Sequence, residues 1–127
     1  MRSVVSIFIL ENGNVYDGEM EDGKMDGHGK MIFVRGDCDT YEGEWDNGKV
    51  QGNGIMIYRN RDVYDGEWYE NMRHGNGKMT YTNGEVYDGV WYENNRDDVY
   101  NEDDDIMVPY DFDGHAYVLF IVFQMCF

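Results

Sequence analysis

The chain has 127 residues and a mass of 14.9 kDa, the size expected of one domain, with no room for a multi-domain enzyme with a separate cofactor module. Ten Lys and Arg against 26 Asp and Glu give a net charge of −16 and a pI near 4.2, a balance that repels phosphate backbones and handicaps binding to anionic bilayers. Aromatic residues make up 16% of the chain, which argues against a wholly disordered acidic polymer.

In chain order, residues 1–10 are apolar but short. They run into Glu11-Asn12-Gly13-Asn14 with no small-residue cleavage site, so they read as a strand rather than a signal peptide. Residues 1–14 form a leading strand or half-repeat. Residues 15–95 are then a repeat array. Its four units open on Tyr16-Asp17-Gly18-Glu19-Met20, Tyr41-Glu42-Gly43-Glu44-Trp45, Tyr64-Asp65-Gly66-Glu67-Trp68 and Tyr87-Asp88-Gly89-Val90-Trp91. The opening tyrosines are 25, 23 and 23 residues apart. Each of the first three units carries a later Gly-x-Gly: Gly27-His28-Gly29, Gly52-Asn53-Gly54 and Gly75-Asn76-Gly77. The pattern fails after Trp91.

Within a unit the period is two. Tyr64, Gly66 and Trp68 share one face, and Asp65 and Glu67 the other. The second strand behaves likewise: Gly29, Met31 and Phe33 share a face, as do Gly54, Met56 and Tyr58, and Gly77, Met79 and Tyr81. Asn12-Gly13 and Asn83-Gly84 suit tight turns. The reading is an all-β fold, a single-layer antiparallel meander of seven to nine short strands forming an elongated twisted ribbon. Glycine at this density argues against helix in the array, at about 1 kcal/mol per site relative to alanine. One face is a row of Tyr, Trp, Met and Phe. The other is mainly charged or Thr, with Ile32, Ile55 and Ile57 as exceptions.

These residues resemble the MORN repeat family. Tyr41, Gly43, Trp45, Gly48, Lys49, Gly52 and Gly54 follow its unit almost position for position. Met20 departs at the first Trp, Asn71-Met72 replaces the Gly-Lys of the third unit, and the fourth unit lacks its second half. The resemblance implies a β-hairpin array without enzymatic activity, acting as a scaffold at membrane-associated or cytoskeletal structures.

Residues 96–127 are an acidic linker followed by an apolar stretch, 116–127, which is about eight residues short of the roughly 20 that a membrane helix needs. It reads as a capping strand for the ribbon, with folding back onto the aromatic face, an oligomer contact and an aggregation-prone end as alternatives. Cys38 and Cys126 are too few for a disulfide scaffold and lack metal-ligand spacing. Both thiols are expected to be free, in a reducing, cytoplasmic compartment, peripheral to a membrane or cytoskeletal structure if the family is a guide.

Other motifs carry little chemistry. His28 and His74 are out of register between units, and although Asp111 and Asp113 lie near His115, three scattered His and two distant Cys do not make a zinc site. Asp111-Phe112-Asp113-Gly114 fails as a calcium loop because Phe120 stands where the closing acid belongs. Arg35-Gly36-Asp37 reads as a loop coincidence. The only serines, Ser3 and Ser6, have no nearby histidine. No cofactor, metal or catalytic set is expected.

Two functions follow. In the first, the protein is a scaffold that docks a protein partner on its aromatic face through Tyr41, Trp45, Tyr64, Trp68, Tyr87 and Trp91, with homo-oligomerisation open. The bland alternative makes those rings the core of a thin domain and nothing more. The second function is peripheral association with phosphoinositide or other anionic lipid head groups through Lys24, Lys49 and Arg73, which the net charge of −16 opposes.

Overall fold

The computed structural model describes residues 6–99 and 126. Within them the chain forms nine strands: β1 (Ser6–Ile9), β2 (Val15–Glu21), β3 (Lys24–Ile32), β4 (Cys38–Asp46), β5 (Lys49–Tyr58), β6 (Val63–Tyr69), β7 (Met72–Thr80), β8 (Val86–Tyr92) and β9 (Asn95–Arg96). A single 3-10 turn, Asp97–Val99, follows. Every strand pairs antiparallel with its sequence neighbours, so spatial order equals chain order in one open sheet. The expected all-β meander is what forms. The expected cap at 116–127 lies outside the described residues, except for Cys126.

Tight turns make this order. β2–β3 and β4–β5 turn through Asp22-Gly23 and Asn47-Gly48, and β6–β7 and β8–β9 through Glu70-Asn71 and Glu93-Asn94, with positive φ at both residues of each pair. Two successive left-handed residues are the geometry that matches the twist of a hairpin. In the last two turns Asn replaces Gly and adds a function. Asn71 N–H donates to Val50 O at 3.0 Å. Its side-chain oxygen accepts from Val50 N–H at 2.8 Å. Asn94 treats Arg73 the same way, donating to its carbonyl at 2.9 Å and accepting from its N–H at 2.9 Å. The turn of each unit therefore extends the ladder of the unit before it, as neighbour-only repeats require.

The inner face is built from three rows that cross the sheet. Tyr16, Met31, Tyr41, Met56, Tyr64, Met79 and Tyr87 stand opposite one another in successive strands. Beside them runs an unbroken row of glycines from Gly18 to Gly89. Beyond the glycines stand Trp45, Trp68 and Trp91. Register shifts between Gly18 and Met20, Gly43 and Trp45, and Gly66 and Trp68 interrupt the period of two. The residue inside each bulge is a glutamate. Glu19 accepts from His28 N–H at 2.8 Å, and Glu44 and Glu67 accept from the N–H of Asn53 and Asn76 at 2.5 Å each. A bulge leaves a backbone group without its ladder partner, and here a carboxylate supplies one.

One sequence expectation fails. Cys38 and Cys126 are joined in a disulfide rather than free, with their Cα atoms 5.6 Å apart. They stand 88 positions apart in the chain, so spacing alone carried no hint of their proximity.

Candidate functional site

The inner face is a continuous ladder of rings. Trp45 meets Tyr16 and Tyr41 edge-on at 5.4 and 5.3 Å between centroids, Trp68 meets Tyr41 and Tyr64 at 5.5 and 5.1 Å, and Trp91 meets Tyr64 and Tyr87 at 5.3 and 5.5 Å. Edge-to-face pairs of this kind contribute ~0.5–1.5 kcal/mol each beyond area burial. Each ring's polar atom is also satisfied. Tyr41 and Tyr64 hydroxyls donate to the carbonyls of Glu44 and Glu67 at 3.0 and 2.7 Å. The indole N–H groups of Trp45, Trp68 and Trp91 donate to the carbonyls of Gly29, Gly54 and Gly77 at 3.0, 3.1 and 3.0 Å.

Such packing makes the ladder a core. Tyr41 and Tyr64 are 0% exposed, and Trp45, Trp68 and Trp91 are 3–4% exposed. Of the six residues expected to line a docking surface, only Tyr87 is partly exposed. The sequence pattern identified the face correctly. What it did not show is that rings lying on glycine backbone, each wedged between two neighbours, bury one another. Burial pushes the hydroxyl pKa values of Tyr41 and Tyr64 upward from 10.0. Tyr58 is raised for the same reason, against the opposing pull of the Arg73 guanidinium.

Solvent reaches the inner face at its leading end. Leu10, Met25, Met31, Phe33, Trp45 and Cys126 wall a groove of about 230 Å³, rimmed by Asn12, Asn14, Gly48 and Asn71. Leu10, Met25 and Cys126 are only partly buried and pack against the ladder core. Sequence reasoning missed Leu10 and Met25, because neither belongs to the Tyr-x-Gly-x-Trp signature. For Met25 the signal was the repeat register, in which Met25, Val50, Arg73 and Arg96 occupy equivalent positions, opposite Met20, Trp45, Trp68 and Trp91.

The same register separates the three basic residues. Lys24 and Lys49 face Glu21 and Asp46 at hairpin ends, where the third unit has Met72. Lys49 is exposed and ion-paired with Glu70. Arg73 stands one residue further on and points inward, 4% exposed. Its guanidinium donates to the Tyr58 hydroxyl at 2.8 Å and to Asn94 O at 2.9 Å, and lies 4.8 Å from the Trp91 ring centre. The three do not form one basic patch. Among the described residues, no group of three or more His, Cys, Asp or Glu is placed to hold a metal ion.

A single open sheet of tandem hairpins, cored by a Tyr–Trp ladder over a glycine row, defines a β-meander repeat protein. A family model for the MORN repeat matches residues 16–38, 41–63 and 64–86, more than half of the chain. The chain belongs to the MORN repeat family. No curated protein matches it. MORN repeats form a generally non-enzymatic family, commonly involved in binding proteins or membrane lipids.

Proposed function

We propose that the protein is a non-enzymatic scaffold that docks a protein partner on its inner, aromatic face, entering at the leading-end groove. The groove carries this reading: an apolar hollow walled by Leu10, Met25, Met31 and Phe33 and rimmed by asparagine amides. Apolar walls accept a hydrophobic side chain. The side-chain oxygens of Asn12, Asn14 and Asn71 accept from the N–H groups of Asn14, Val34 and Val50, which holds the loops around the hollow in place. An apolar cleft fixed by a few polar groups is the usual form of a binding site. The buried rings Tyr41, Trp45, Tyr64, Trp68 and Trp91 serve as the rigid bed of that face, and Tyr87 is exposed enough to touch a partner. A pre-formed bed lowers the ordering cost of association.

Selection of peptides from a displayed random library on the immobilised chain tests the reading. Enriched peptides should carry an aromatic or branched apolar anchor. Met25→Glu, which places a charge in the groove wall, should weaken them by about tenfold or more at a temperature where circular dichroism shows the variant still folded. Peptides that bind the Met25→Glu variant as tightly as the wild type would remove the groove from the proposal. Vesicles containing phosphoinositide serve as the comparison. With Arg73 buried and Lys49 paired, no flotation is expected, and salt-sensitive flotation would favour the head-group alternative.

A further inference from the structure

We propose that the Cys38–Cys126 disulfide is a redox-sensitive staple that sets one wall of the leading-end groove. Cys38 begins β4, opposite Tyr58, and is wholly buried in the ladder core. Cys126 is half-buried, packs against that core, and lines the groove together with Leu10, Met25, Met31, Phe33 and Trp45. One covalent bond thus ties a residue far along the chain to the fourth strand, beside the leading-end hollow. Its consequence for binding rests on the docking reading above. The staple itself does not.

The chemistry is thiol–disulfide exchange with a dithiol reductant. The reductant's thiolate attacks the Cys126 sulfur, the more reachable of the two, and the S–S bond breaks. The bonding pair leaves on the Cys38 sulfur, which takes up a proton. The reductant's second thiolate then displaces Cys126 as a thiol. Two electrons and two protons pass to the protein, and the reductant leaves as a cyclic disulfide. The protein retains two thiols, and the covalent tie between the groove wall and β4 is gone. A cross-link spanning 88 residues restricts the unfolded chain strongly, so its loss should also be felt as stability.

The full chain is compared after equilibration in oxidised glutathione and in dithiothreitol. Peptide mapping of the oxidised sample should show a Cys38–Cys126 cross-linked peptide. Reduction should lower the melting midpoint by roughly 10–20 °C. It should also raise the fluorescence of an apolar-surface dye several-fold, as the wall at Cys126 loosens and the apolar lining is more exposed. Cys126→Ser should behave like reduced wild type in both buffers and ignore dithiothreitol. Because Cys38→Ser places a hydroxyl in the core and risks misfolding, Cys126→Ser is the deciding variant. Absence of the cross-linked peptide after oxidation, or identical melting and dye binding in the two buffers, would overturn the staple. Peptides that bind oxidised and reduced chains equally, with the cross-link and melting shift present, would leave the staple and remove its link to docking.

Discussion

Tyr64 lies so close across Gly77 that a Cβ on that glycine would overlap the tyrosine's hydroxyl and ring. Tyr41 over Gly54 and Tyr16 over Gly29 repeat the arrangement. The glycine is present because the ring needs its space, and the ring is buried because the glycine lets it lie on the backbone.

Gly77→Ala should therefore cost about 1–3 kcal/mol, since ring or strand must shift. Gly84 provides the contrast. It has φ +95° and open space around its Cβ position, so Gly84→Ala is strained by conformation alone, at about 1 kcal/mol. Urea denaturation separates them, and the steric account expects the larger loss at Gly77 together with altered near-ultraviolet ring signals there only. Equal losses with unchanged ring signals would count against it.

Glu67 caps the Asn76 N–H at a bulge, whereas the corresponding residue of the fourth unit is Val90. Glu67→Ala should lower stability by about 1 kcal/mol, with faster hydrogen exchange at the Asn76 amide. Val90→Ala, which removes no such bond, should leave every amide of β7 protected as before. Denaturant melts and amide exchange measured on both variants would show whether the carboxylate or the strand pairing protects that site.

The buried tyrosines give a pH dependence of known sign. Tyr41, Tyr58 and Tyr64 have hydroxyl pKa values raised above 10.0, chiefly by burial, so the folded protein resists their ionisation more than the unfolded chain does. Below pH 10 these groups are protonated in both states and their contribution is constant. Above pH 10 the unfolded chain releases their protons first, and stability falls as pH rises toward the folded values. Melting temperature followed from pH 9 to pH 12, with tyrosinate absorbance read in parallel, should show ionisation of these residues arriving with unfolding, not ahead of it. Full tyrosinate formation in a still-folded chain would contradict the burial.

Much of this architecture was legible because its cause is local. Tyr-x-Gly-x-Trp and the later Gly-x-Gly each state a period of two, and the Asn and Gly pairs state where the chain reverses. The bulges were not legible. Glu19, Glu44 and Glu67 recur in plain view, but they read as outward-facing charges until the register shifts showed backbone N–H groups needing acceptors. Arg73 misled for a related reason. A displacement of one residue relative to Lys24 and Lys49 moves a strand side chain from one face to the other.

By itself, the sequence determined the strand order and which face would carry the rings, because alternation and turn conformation are properties of neighbouring residues. Only the tertiary structure decided how deeply those rings lie, that Arg73 rests against Trp91, and that Cys126 reaches Cys38. Each of these depends on distances between units, and no periodicity along one strand encodes them.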